Sequence, residues 1–327
     1  MNRALVLGAG GFIGSHMVKR LKSEGYYVVG VDIKYPEFDE TLADNFYLCD
    51  LTDKVKFSQI FSDEKHFDEI YQYAADMGGA GFIFTGENDA KIMHSSVSIN
   101  LNLLDLVEHH YDSLETLKIF YSSSACIYPQ QIQEATNNPG LKEDFAYPAN
   151  PDSEYGWEKL FSERLFHTYH KNYGLNVRIA RFHNIYGPQG TWDGGKEKVP
   201  AAVCRKVANS KIVDEIEIWG DGKQTRSFLF IEDCIEATRR LMNSDYSYPI
   251  NIGSEEMVSI NQLVEIVSTI ADKKISIKHI DGPLGVRGRN SDNELIKEIL
   301  DWDYKFNLKE GIKETYLWIE KQIIKQN

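Results

Sequence analysis

Residues 4–22 read ALVLGAGGFIGSHMVKRLK, and this stretch restricts the fold more than any other. An apolar run of strand length passes through Gly8, Gly11 and Gly14 directly into the periodicity of a helix. Small residues at those places permit a tight turn, a close approach of backbone to a pyrophosphate, and packing of helix on strand. The helix N-terminus, at Phe12 and Ile13, then offers free N–H groups to the anion.

The same alternation continues to about residue 185. The apolar runs YVVGVD, FYLCD, EIYQYAA, LKIFYSSS and NVRIARFHNIYG are separated by helical patterns such as DKVKFSQIF, SINLNLLDLVEHH and SEYGWEKLFSERLFHTYHKNYG. Strands alternating with helices imply right-handed parallel crossovers and a sheet covered on both faces. The expected fold is therefore α/β: a doubly wound parallel Rossmann-type sheet over residues 1–185. A smaller C-terminal α/β substrate-binding domain is expected over 186–327, with some segments returning to the sheet.

Composition narrows the ligand. A net charge of −13, from 36 Lys and Arg against 49 Asp and Glu, opposes binding to a nucleic-acid backbone. No run reaches the roughly 18 apolar residues of a membrane span, and the start lacks a signal-peptide pattern, so a cytoplasmic protein is expected. Cys49, Cys126, Cys204 and Cys234 are widely spaced and form no CxxC pair, which signals neither a disulfide framework nor a metal site. His183 has no second ligand at metal spacing and reads as a packed, hydrogen-bonded histidine.

Asp32 ends the second strand 18 residues after Gly14. A carboxylate there accepts both ribose hydroxyls and repels a 2′-phosphate, which favours NAD; Lys34, two residues on, leaves NADP open. Asp50 and Leu51 follow the third strand, where adenine is expected, although an aspartate there also serves as an ordinary helix cap. Tyr155 and Lys159 stand four apart in a helical pattern and share one face. An ammonium beside a phenol lowers the phenol's pKa and lets it exchange a proton with a substrate hydroxyl as hydride moves to NAD.

The strings GAGGFIG, SSSACIYP, RFHNIYGP and RGRNSDN, together with Tyr155 and Lys159, occur in the order found in extended short-chain dehydrogenase/reductases, which this chain resembles over nearly its whole length. That resemblance implies that Ser124 hydrogen-bonds the substrate. It also implies a homodimer, for which the long helices near 95–110 and 153–172 are available. Within the superfamily, AADMGG at 74–79, WGDGKQTRSF at 219–228 and the loop TWDGGKEKVPAAVCRK are similar to the GDP-mannose 3,5-epimerase family.

In that family a transient ketone at C4 acidifies the neighbouring C–H bonds, and inversion needs a base on one ring face and an acid on the other. The resemblance implies Cys126 as base and Lys198 as acid; a thiolate beside a cation accepts a proton near neutral pH. It also implies sugar contacts from Gly78, Gly79, Asn184 and Glu197, and contacts to GDP from Lys206, Gln224 and Arg289, with Arg226 and Arg287 as alternatives to Arg289. The segment after AADMGG, Val199 beside Lys198, and Trp157 inside the Tyr155/Lys159 motif depart from the family strings. Two alternatives stay open: a GDP-manno-heptose or related GDP-sugar C4 dehydrogenase or C4 epimerase, and a catalytically silent nucleotide-sugar-binding protein.

Overall fold

The first apolar run is the strand Arg3–Leu7, and it lies inside a seven-stranded sheet. The computed structural model describes residues 1–64, 66–283 and 285–326. From one edge the strands are Pro249–Ile252, Asn176–Phe182, Lys118–Ser124, Glu69–Gln72, Arg3–Leu7, Tyr27–Asp32 and Asn45–Leu48. Every neighbouring pair is parallel. Parallel strands need covering on both faces, and alternate residues here feed two separate cores. Ala4, Val6 and Val28 face the helices Phe12–Ser23 and Ile231–Asn243. Leu5, Leu7, Val29 and Val31 face Lys54–Glu64, Asp89–His110 and Glu154–Tyr173.

The strand order runs outward from Arg3–Leu7 through the second and third strands, then reverses to Glu69–Gln72 on the other side. Such a reversal opens a crevice at the C-terminal strand ends, the position at which open α/β sheets bind ligands.

Two elements differ from the pattern read in the sequence. NVRIARFHNIYG is not one strand: it breaks after Phe182, and Ile185–Tyr186 pairs instead with Leu229–Phe230. Asn184, at φ +48°, makes the break, and its Nδ2 donates to Ser227 O at 2.8 Å. The helix read in SINLNLLDLVEHH also begins a good two turns earlier, at Asp89.

Beyond Phe182 the chain builds small sheets: Val213–Trp219 with Lys274–Ile280, and Thr225–Ser227 between Met257–Ser259 and Gly288–Arg289. The helix Val199–Asn209 starts with proline in its first turn and packs against Leu308–Gln326. The strand Pro249–Ile252 rejoins the main sheet at its edge, beside Asn176–Phe182. Among the described residues no helix is long and apolar enough to cross a membrane.

Candidate active site

The glycine loop sits at the crevice. Gly11 precedes the helix Phe12–Ser23, whose first N–H groups have no intrahelical acceptors. Gly8 N and Ala9 N both donate to Val31 O, which ties the loop to the second strand. Gly14 packs against Gly8 O, where a side chain would lie 2.1 Å away. Gly10 N donates to Asp32 Oδ2 at 2.9 Å, and a Cβ on Gly10 would lie 2.0 Å from Lys34 O. This bare, donor-rich cradle beside a carboxylate fits the pyrophosphate and ribose of a dinucleotide. Burial pushes the Asp32 carboxyl up, against hydrogen bonds from Lys34, Gly10 and Ile33 backbone that pull it down.

At the end of the third strand Asp50 is exposed, and its Oδ1 accepts from the N and Oγ1 of Thr52. Leu51 is buried beside it, and Asn102 Nδ2 donates to its carbonyl at 2.9 Å.

The strand Lys118–Ser124 ends in a single 3₁₀ turn, Ala125–Ile127. Ser124 caps that turn by accepting from Cys126 N at 3.2 Å, and it opposes the upward push on the Tyr155 phenol. Helix Glu154–Tyr173 is capped by Ser153 and begins against the same turn: a Cβ on Gly156 would lie 2.2 Å from Cys126 O. Only glycine allows that approach, and it holds Tyr155 beside Cys126. One turn on, Lys159 Nζ donates to Ser122 O at 3.0 Å and lies 5.7 Å from the Tyr155 ring centre.

The Tyr155/Lys159 spacing anticipates a lowered phenol, and the chain alone has the opposite. Burial pushes the Tyr155 hydroxyl well above its ordinary range, Cys126 and Glu158 push the same way, and Ser124 and Arg289 oppose them. Burial likewise lowers Lys159, against the charges of Glu158, Glu163 and Cys126.

Lys198 is the residue that immediately precedes the helix Val199–Asn209. Burial lowers its ammonium, against the opposing influence of Cys126 and then of Cys234. A lysine lowered in this way releases its proton more readily. The loop carrying it is docked by Gly79, whose N donates to Lys196 O at 3.0 Å. A Cβ on Gly79 would lie 2.3 Å from Glu197 O. Gly79→Ala is therefore expected to displace the lysine loop and slow turnover by about 10-fold or more, measured on protein with wild-type circular dichroism.

The remaining sequence candidates divide. Gly78 packs on Phe82. Glu197 is held by Gly195 N at 2.7 Å and Arg205 at 2.6 Å. Lys206 Nζ donates to Glu217 O at 2.6 Å. Gln224 is buried, with Nε2 3.3 Å from Trp219 O, and its Oε1 has no hydrogen-bond partner among the described residues.

Arg226 donates to Thr225 O and Val286 O, and burial lowers it to about 9, with Arg289 acting the same way. Arg289 is 4% exposed and engaged at every nitrogen: Nε to Gln133 at 2.6 Å, one terminal nitrogen to Cys126 Sγ at 3.0 Å, the other to Asp152 at 3.0 Å. Gln133 and Asp152 were not singled out in the sequence; their partner lies 156 and 137 residues away, so no local spacing announces them.

His183 is buried, with Nε2 2.9 Å from Asn251 Oδ1, and burial lowers it to about 3, so it packs as a neutral ring. The described residues contain no group of three or more His, Cys, Asp or Glu able to hold a metal ion.

A reversed parallel sheet with a bare glycine cradle, together with a buried Tyr155 beside a half-buried Ser124, is the architecture of a dinucleotide-dependent enzyme acting on a hydroxyl-bearing substrate. Residues 4–253 match the NAD dependent epimerase/dehydratase family, and the chain belongs to that family. NAD is accordingly its cofactor.

The chain is 48% identical over 323 residues to GDP-mannose 3,5-epimerase of Arabidopsis thaliana, covering 98% of this chain and 83% of that protein. It is 47% identical over 326 residues to GDP-mannose 3,5-epimerase 1 of Oryza sativa subsp. japonica, covering 99% and 83%. Among solved structures, it is similar to a UDP-glucose 4-epimerase from Thermotoga maritima, with TM-score 0.83, 26% identity and coverage of 98% and 99%. It is also similar to UDP-glucuronic acid 4-epimerase of Bacillus cereus in complex with UDP-glucuronic acid and NAD, with TM-score 0.81, 26% identity and the same coverages.

Proposed function

We propose that this chain epimerises GDP-α-D-mannose, or a close GDP-manno-sugar, at C5 and C3 through a transient C4 ketone, giving GDP-L-galactose from GDP-mannose. The observation that carries the reading is Cys126 itself, packed beside Tyr155 in the turn that Ser124 caps, with its sulfur accepting from Arg289 and with Lys198 within its electrostatic reach. A C4 oxidation alone needs neither group. The 4-dehydrogenase and C4-epimerase alternative is not favoured, and the names of the similar plant proteins support the same reading.

Bound NAD supplies a hydride acceptor for C4 and later the same hydride back, together with a positive charge that offsets the burial of the Tyr155 phenol. Tyr155 takes the C4 hydroxyl proton while Ser124 orients that hydroxyl. Once C4 is a ketone, Cys126 removes the proton from the adjacent ring carbon. Tyr155 and Ser124 then hydrogen-bond the enolate oxygen more strongly than they did the ketone. Lys198 returns a proton to the opposite face, which inverts the centre. Tyr155 finally restores the C4 hydroxyl. Arg289, held by Asp152 and Gln133, fixes the Cys126 sulfur by donating to it.

For the nucleotide, the buried Oε1 of Gln224 offers an acceptor, and Lys206 and Arg226 offer positive charge. Gly78, Gly79, Asn184 and Glu197 are assigned to the sugar side, and Asp32, Asp50 and Leu51 to the adenosine side of NAD. The test is NMR of GDP-mannose incubated with the protein in deuterated water. Deuterium entering at C3 or C5 with no net change in NADH supports the reading; accumulated ketone without exchange overturns it.

The same reading includes a cytoplasmic homodimer. Leu101, Trp157 and Phe161 are 45%, 40% and 48% exposed on the helices Asp89–His110 and Glu154–Tyr173. These helices are joined by a buried Asn100 Nδ2 to Ser162 Oγ bond of 2.9 Å. A second copy, related by a two-fold axis, covers this apolar face with its own. Wild-type protein is expected to sediment as two 37.4 kDa chains and Phe161→Glu as one; identical masses would remove the dimer from the proposal.

A further inference from the structure

Residues 35–43 leave the second strand just after Asp32 and cross the open side of the glycine cradle. Gly10, Gly11, Phe12, Lys34, Asp39 and Gln189 line one cleft between them. Three distant parts of the chain hold this segment. Asp39 Oδ2 accepts from Lys19 Nζ at 2.6 Å and from Gln189 Nε2, and Lys19 also donates to Gln189 Oε1 at 2.8 Å. Phe38 meets the Trp318 ring edge-on, with centres 4.8 Å apart. Lys19 belongs to the first helix, Gln189 to the loop after Tyr186, and Trp318 to the C-terminal helix. Gln189 is held at φ +67°, a region that a non-glycine residue enters only when its surroundings impose it. That conformation aims its amide at Asp39. The loop it belongs to backs onto the cofactor side, since a Cβ on Gly190 would lie 3.7 Å from the Phe12 ring.

We propose that residues 35–43 are a clasp over the adenosine half of the NAD site, closed by the Lys19–Asp39–Gln189 cluster and the Phe38–Trp318 contact, and that it keeps the cofactor on the protein between oxidation and re-reduction of the sugar. The inference rests on the NAD-dependent reading above and extends it. A reaction with no net redox change must return hydride from the same cofactor molecule that accepted it, so release of NADH in mid-cycle strands a ketone. Tyr155, Cys126 and Lys198 do not line this cleft, so the clasp residues act on retention and take no part in the proton transfers.

The experiment loads purified protein with NAD and follows its replacement by isotopically labelled NAD, together with the NAD remaining after desalting. Asp39 and Lys19 are partly solvent-exposed, so the cluster contributes modestly by itself. Asp39→Ala is expected to speed exchange roughly three- to ten-fold, and Phe38→Ala/Asp39→Ala more than either single change. Gln189→Ala, which leaves the Lys19–Asp39 pair in place, should show a smaller acceleration in the same direction. Circular dichroism identifies any variant that fails to fold, and the remaining variants then decide the matter. Unchanged exchange in folded variants of a protein that binds NAD overturns the clasp alone. Failure of the wild type to take up NAD overturns the clasp and the cofactor reading together.

Discussion

Replacing Cys126 with alanine is expected to lower solvent-deuterium incorporation into the sugar ring by about 10²- to 10⁴-fold, while cofactor reduction on adding GDP-mannose survives. The two outcomes separate because the groups are separate. In the proposed mechanism Tyr155, Lys159 and Ser124 serve the C4 hydroxyl, and the contacts of Lys159 to Ser122 O and to the Tyr155 ring do not pass through the sulfur. In the same mechanism Cys126 is the base that removes the ring C–H proton. Lys198→Met should leave the ketone forming but not inverted, with deuterium wash-in confined to the original face. Exchange at the wild-type rate in Cys126→Ala would assign the base elsewhere and end the proposed mechanism.

Removing the carboxylate of Glu163 is expected to destabilise the protein by roughly 3–5 kcal/mol, because it leaves a buried guanidinium unpaired. Arg181 and Glu163 are both 4% exposed and meet at 2.9 Å. Glu163 also accepts from the Ser123 hydroxyl, and Arg181 donates to Glu143 O at 2.8 Å and to the Tyr128 hydroxyl at 3.3 Å. The ion pair therefore ties the helix of Tyr155 and Lys159 to the strand Asn176–Phe182, and the Ser123–Glu163 bond ties the same helix to the strand that ends at Ser124. Guanidinium unfolding of Glu163→Ala measures the loss. A double change of Glu163 and Arg181 to apolar residues of similar volume should recover much of it, and equal losses in the single and double variants would contradict the uncompensated-charge explanation.

The parallel sheet was legible because buried parallel strands must be continuous apolar runs, and Leu5, Val29, Ile70 and Ile119 obey that rule. The glycine cradle and the Tyr155/Lys159 face were legible for a similar reason: each is a spacing within one element or one turn. Asn184 broke a strand that its flanking Ile and Tyr favoured, since its left-handed backbone and its bond to Ser227 depend on a strand 43 residues on. Arg289 shows the same limit at the site. The sequence offered it to a diphosphate, whereas the fold brings it 163 residues back to the Cys126 sulfur. Gly79 was legible as a close approach, but the partner that makes glycine necessary there is the carbonyl of Glu197. What escapes a linear reading is the choice of partner between distant polar groups, which only packing decides.

The late return of Pro249–Ile252 to the sheet has a consequence for biosynthesis. Asn251 accepts from the Tyr128 hydroxyl across 123 residues and donates to Leu141 O across 110. On the ribosome, Asn176–Phe182 emerges well before this neighbour and presents an unpaired strand edge for the whole interval in which residues 183–248 are being made. The edge on which Asn251 later bonds Tyr128 and Leu141 therefore closes late, and the nascent strand is open to wrong pairing until it does.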